Sequence, residues 1–66
     1  MKNSIKVERA IHGLTQEELA QKVSVSRQTI NAMEANKYVP STVLALKIGR
    51  VFNKPVEAIF TLEEGD

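Results

Sequence analysis

Read with a helical period, residues 15–34, TQEELAQKVSVSRQTINAME, give two short amphipathic helices separated by three residues. Leu19, Ala20 and Val23 fall on one face of the first, at i, i+1 and i+4. Ile30 and Met33 share a face of the second, and Val25 sits in the turn between them. With so brief a connection, the two apolar faces can merge only if the helices cross steeply, as in a helix-turn-helix motif. The start signals agree with this division. Thr15 followed by Glu18 spells a capping box, in which hydroxyl and carboxylate each satisfy an orphan amide. Ser26 is placed to cap the second helix.

The flanking sequence extends the same pattern. Asn3 or Ser4 caps a first helix that ends near residue 11, with Ile5, Val7, Ala10 and Ile11 as its apolar positions and Gly13 as its left-handed exit. Leu14 then staples against the first turn of the second helix, which runs over about residues 16–23. The third helix spans about residues 27–35. Asn36-Lys37-Tyr38-Val39-Pro40 reads as a loop, because Pro40 forbids continuation and Asn36 tolerates the left-handed region. Ser41 caps a fourth helix over residues 42–52, whose stripe of Leu44, Ala45, Ile48, Val51 and Phe52 is the cleanest periodicity in the chain. Asn53-Lys54 breaks it, and Pro55 opens a short fifth helix carrying Val56, Ile59 and Phe60. Phe60-Thr61-Leu62 alternates like a strand and leads into the C-terminal tail, residues 61–66, whose acidic stretch after Leu62 is expected to be loose. The pattern predicts an all-α, five-helix domain, residues 1–66, with its helix-turn-helix at about 15–35 and a short C-terminal β extension.

Composition narrows the function classes. A 66-residue chain is one domain, and one so small buries only roughly 60% of its unfolded surface. It has no cysteine, so neither a disulfide nor a thiolate metal site can staple it. Self-association is the remaining way to add buried apolar area. No apolar run approaches the ~18 residues a membrane span needs and no signal-peptide pattern is present, so a cytoplasmic protein is expected. The net charge is only +1, but three of the eight acids, Glu63, Glu64 and Asp66, lie in the last four residues. Residues 1–62 carry nine basic and five acidic groups, a balance of +4 that suits phosphate mildly. His12 is the one histidine and lacks a second ligand, so no metal is expected. There is no glycine-rich phosphate loop, no nucleophile with a base partner and no room for a cleft. No enzymatic activity, cofactor or small-molecule substrate is expected.

The residues Leu14–Ala20 (LTQEELA), Val25–Asn31 (VSRQTIN), Glu34 and Asn36–Ser41 (NKYVPS) together resemble the Xre-type helix-turn-helix family, that of the lambda and 434 phage repressors and Cro. The likeness covers residues 5–60. It implies a lambda-repressor-like fold and a regulator that binds double-stranded DNA. Carried over by position, Arg27, Gln28 and Ala32 match base-facing positions, with Asn31 beside them, and Gln16 matches a phosphate contact. Asn36, Lys37 and Tyr38 match a loop that approaches the DNA backbone, and Arg9 and Glu34 match a partly buried ion pair between the first and third helices. In small stand-alone members the C-terminal tail supports a two-fold dimer. Two departures stand out. Ser24 replaces a frequent Gly in the turn, and Glu8 replaces a frequent apolar residue, so the first helix is expected to be rotated or shifted.

These residue types suit the role. Arg27 offers a guanidinium fork to guanine and Gln28 a bidentate pair to adenine. Register would come from phosphate contacts by Gln16, Ser26, Thr29, Asn36, Lys37 and Tyr38, with helix-end amides. The bland alternative for Arg27 and Gln28 is an ordinary solvated face, and for Arg9 and Glu34 two independent charges. Tyr38 packs in its loop or meets phosphate. Ile59, Phe60 and Leu62 close the core or form a dimer seam, with the seam favoured for at least one of them. The expected function is a sequence-specific regulator, a repressor that binds an inverted repeat as a homodimer. The alternatives are a DNA-binding antitoxin and a helical protein-interaction module.

Overall fold

Four helices leave by the same device, one left-handed residue that turns the chain so the next amide can cap a stranded carbonyl. The computed structural model describes all 66 residues. Helices α1 (Ile5–His12), α2 (Gln16–Val23), α3 (Arg27–Glu34) and α4 (Thr42–Phe52) exit through Gly13, Ser24, Asn36 and Asn53, with φ of 66°, 60°, 60° and 55°. In each case the following amide donates to the carbonyl five residues back. Leu14 to Arg9, Val25 to Ala20, Lys37 to Ala32 and Lys54 to Gly49 all measure 2.8–3.0 Å. Gly and Asn suit this conformation, whereas Ser24 holds it against a steric cost of about 1 kcal/mol.

The helix starts are capped by side chains. Thr15 and Glu18 form the reciprocal capping box, at 3.0 Å for the Glu18 amide on the Thr15 hydroxyl and 2.9 Å for the return bond. Ser26 and Ser41 accept from the amides of Thr29 and Leu44, each at 3.2 Å. A short α5 (Val56–Ile59) follows Pro55 and runs into strand β2 (Phe60–Thr61). Strand β1 (Lys2–Asn3) pairs with it antiparallel, Lys2 opposite Thr61 and Asn3 opposite Phe60. The β extension expected at the C-terminus is therefore half of a two-stranded sheet whose other half is the first segment of the chain. No helix is long and apolar enough to cross a membrane.

One core joins all five helices: Ile5, Leu19, Ala20, Val23, Ile30, Met33, Leu44, Ala45, Ile48, Phe52, Ile59 and Phe60. Gly49 lies where α5 closes onto α4. A Cβ there would stand 2.8 Å from the Lys54 carbonyl oxygen, so only glycine admits the turn at this distance.

Helix α1 departs from its expected pattern. Val7 and Ile11 are 59% and 67% exposed and Ala10 is exposed as well, while Ile5 and Glu8 point inward. The buried positions are spaced i, i+3, and they place a carboxylate where the Xre pattern has an apolar side chain. Glu8 is tolerated because Lys54, from the α4–α5 turn, reaches its Oε2 at 2.6 Å. Its Oε1 and the Ser4 hydroxyl are both buried without a partner. Of the two candidate caps for α1, Asn3 supplies the side-chain acceptor, taking the Ile5 amide at 3.1 Å, and Ser4 makes no such bond. The acidic tail returns to the start of the chain. Glu63 and Asp66 hold the Met1 ammonium at 3.2 and 3.0 Å.

Candidate nucleic-acid interface

Helix α3 buries Ile30 and Met33 and turns Arg27, Gln28 and Asn31 outward, all three exposed, with Ala32 half-buried beside them. This follows from eight residues with only two apolar anchors three positions apart, which leave a wide polar arc. None of the four salt bridges involves Arg27, so its guanidinium is available to an outside acceptor. The first turn of α3 carries no acid. Its leading amides, at Arg27 and Gln28, lie before the first intrahelical bond, and the positive end of the helix dipole points the same way. Such a tip attracts an anion.

Ser26 holds that tip in shape. Its hydroxyl accepts the Thr29 amide and lies 3.0 Å from the Thr29 hydroxyl, so both side chains are tied to each other at the helix start. Thr29 is half-buried as a result, and Ser26 is exposed.

Behind α3, Arg9 of α1 grips Glu34 with two parallel bonds, Nε to Oε2 at 2.6 Å and Nη2 to Oε1 at 3.0 Å. A third bond from Arg9 Nη1 reaches the Leu14 carbonyl at 2.9 Å, which ties the α1–α2 turn to the pair. The side chains are only 15% and 8% exposed. Gln16, the first residue of α2, donates its amide to Glu34 Oε1 at 3.0 Å. Burial pushes the Glu34 carboxyl up, but the Arg9 guanidinium and the Gln16 amide outweigh it and hold it below the usual carboxylate range. The Glu34 carboxylate in turn raises Arg9. Gln16 thus meets the surface as a half-buried side chain already oriented by the ion pair.

The loop after α3 presents Asn36, Lys37 and Tyr38, all exposed, with Tyr38 at 46%. Its backbone is fixed by the left-handed Asn36 and by the Lys37 amide on Ala32. Gln16 meets α3 through Glu34, and the tip and this loop lie at the two ends of α3. Ile59 and Phe60 lie elsewhere, 1% and 7% exposed in the core of the single chain, whereas Leu62 is 77% exposed.

Two residues take roles that their sequence positions do not announce. Glu8 gives a signal, as an acid at an inward position, but its partner Lys54 is far along the chain and no spacing rule links them. The sequence marks Asn3 only as a cap, yet its side-chain amide also donates to the Met33 carbonyl at 2.8 Å and lies 3.3 Å from the Asn36 side-chain oxygen.

Comparison with known proteins agrees with this geometry. The helix-turn-helix family model matches residues 5–59. The chain is 53% identical over 66 residues to a protein of Methanocaldococcus jannaschii, covering 100% of both chains. It is 50% identical over 64 residues to a Bacillus subtilis protein, covering 97% of each. It is also 50% identical over 64 residues to a protein of Archaeoglobus fulgidus, covering 97% of this chain and 91% of the relative. All three relatives are named as uncharacterised HTH-type transcriptional regulators. On the crossed α2 and α3, the capped α3 tip, the family match and these full-length relatives, the chain belongs to the Xre-like helix-turn-helix family.

Proposed function

We propose that this chain regulates transcription by binding DNA sequence-specifically, with α3 in the major groove, and that it acts as a repressor on an inverted-repeat operator. The observation that carries this reading is the outward face of α3. Arg27, Gln28 and Asn31 stand exposed on a helix with a rigid cap and no acid in its first turn. Arg27 would read guanine and Gln28 adenine, Asn31 would reach a neighbouring base edge, and Ala32 would lie against a thymine methyl. Gln16, Ser26, Thr29, Asn36, Lys37 and Tyr38 would set the register through phosphates.

A homodimer fits the dimensions. The molecule measures 32 × 22 × 21 Å, a size that would let two copies occupy half-sites ~34 Å apart, one helical turn. Apolar surface supports such a pairing. Val39, Leu46, Val56 and Phe60 line a groove beside Met1, and Leu62 is exposed on the tail. As a regulator of transcription the protein would act where the DNA is, in the cytoplasm.

The test is selection from a random duplex pool at two salt concentrations. Enrichment of an inverted repeat, with affinity falling steeply as salt rises, is the expected result. Salt-sensitive binding without enrichment would replace sequence-specific regulation with an architectural role. No binding at either salt would overturn the reading.

A further inference from the structure

The side chain of Asn3 makes three hydrogen bonds in one place. Its Oδ1 accepts the Ile5 amide at 3.1 Å, and its Nδ2 donates to the Met33 carbonyl at 2.8 Å and faces Asn36 Oδ1 at 3.3 Å. The orientation of the amide group follows from that network, since a backbone N–H needs an acceptor and two oxygens need a donor. Each partner lies on a different element. Ile5 opens α1, Met33 is in the last turn of α3, and Asn36 is the left-handed residue that starts the exposed loop. Asn3 itself is held in β1 opposite Phe60, and the next amide, Ser4, donates to the Ile59 carbonyl at 2.9 Å.

Met33 and Asn36 are the two ends of one short turn. The Met33 carbonyl already accepts the Asn36 amide at 3.0 Å, so Asn3 supplies its second hydrogen bond and then touches the Asn36 side chain. No other side chain makes a hydrogen bond to residues 36–38. Beyond that single contact, the loop is exposed and depends on its own backbone turn.

From these contacts we infer that Asn3 is a positioning residue for DNA binding: it fixes the exit of α3 so that Asn36, Lys37 and Tyr38 meet the phosphate backbone in a set geometry. The inference rests on the proposed DNA-binding role of that loop. Asn3 touches no DNA. It removes freedom from the loop before DNA arrives, so that binding does not carry the ordering cost. Because Asn3 is paired with Phe60, the position of the terminal sheet is also passed to the loop.

Two substitutions separate this role from simple capping. Asn3→Ala removes every side-chain bond. Asn3→Ser leaves a hydroxyl able to make the same i to i+2 turn with the Ile5 amide, but too short to reach Met33. Ile48→Val, a core change on α4, serves as a control for lost stability. Binding to a mixed-sequence duplex is measured at a temperature where all variants are folded, together with amide hydrogen exchange at Asn36 and Lys37 in the free proteins. Both Asn3 variants should speed exchange at these two amides and weaken binding several-fold, with base preference unchanged, while Ile48→Val does neither. Unchanged exchange in the Asn3 variants would overturn the inference. So would parental affinity in the Asn3 variants while Lys37→Ala weakens binding, and in that case the loop's contact with DNA survives. A Lys37→Ala variant that binds like the parent takes the loop off the DNA and removes the inference with it.

Discussion

Arg9 of α1 and Glu34 of α3 are locked together by two parallel hydrogen bonds, 2.6 Å and 3.0 Å long. The pair fastens the end of α3 to α1, and through the Leu14 carbonyl and Gln16 it also fixes the start of α2. An exposed ion pair would add little, but this one is largely shielded from water and every oxygen of the carboxylate is occupied.

Removing the charge should therefore be costly and pH-dependent. Glu34→Gln leaves the Arg9 guanidinium buried without its counter-ion, and should destabilise the fold by about 3 kcal/mol near neutral pH. The native carboxyl titrates below its unfolded range. Its contribution is complete above the unfolded value of about 4.3 and disappears as pH falls through the lower native value. The gap in melting temperature between the parent and Glu34→Gln should be widest near neutrality and close in acid. Glu18 and Asp66 are also held low, by the Thr15 and Glu63 amides first, so both proteins lose some stability in that window. A gap that stays constant down to strong acid would show that the ionised pair is not what Glu34 contributes.

The sequence carried α2, α3 and α4 almost residue for residue, and the reason is visible in their ends. Thr15, Ser26 and Ser41 cap, Ser24, Asn36 and Asn53 turn, and the apolar spacing between them fits a single period. These are local rules, read within one helix. What escaped is held by contacts between distant segments. Strand β1 is two residues long and is defined only by its pairing with β2. Position 8 lies on the buried face with Ile5, but a carboxylate there reads as a surface residue until its distant partner Lys54 is known, and Val7 and Ile11 look like the better core residues. The candidate interface divides in the same way. Arg27, Gln28 and Asn31 follow from helical phase, whereas the bonds from Asn3 to Met33 and Asn36 depend on tertiary placement alone.

At Arg27 the expected effect is on specificity. Its side chain is exposed and carries no intramolecular ion pair, so Arg27→Ala should leave the melting temperature close to that of the parent. Operator affinity should fall by about 1–3 kcal/mol, with preference relaxed at one base position. Repeating the pool selection with this variant checks it. An identical base preference would take Arg27 off the base edge.

Glu8 and Lys54 make a pair of unequal burial, with side chains 5% and 43% exposed. Lys54→Ala strands a buried carboxylate whose second oxygen already lacks a partner, and should cost about 1–3 kcal/mol. Glu8→Leu fills the same space with an apolar side chain and frees Lys54 to water, and should be neutral or stabilising. Denaturant unfolding of the two variants gives opposite signs if burial of the charge is what matters. Equal losses would mean that the attraction between the two charges outweighs the cost of burying the carboxylate.

The proposed dimer seam can be tested without confusing it with the core. Phe60 is 7% exposed and packs among the core side chains, so Phe60→Ala should cost about 3–5 kcal/mol whether or not the protein associates. Loss of a dimer in that variant would say nothing specific about the contact. Leu62 is 77% exposed and lies outside the core, so Leu62→Asp should change stability of the folded chain by no more than about 0.5 kcal/mol. If the tail lies in the seam, a carboxylate placed there brings two like charges together across a two-fold axis. Sedimentation should then show monomers, and affinity for a full inverted repeat should drop toward that for a half-site. An unchanged dimer would put the contact elsewhere, with the groove of Val39, Leu46 and Val56 as the next surface to substitute.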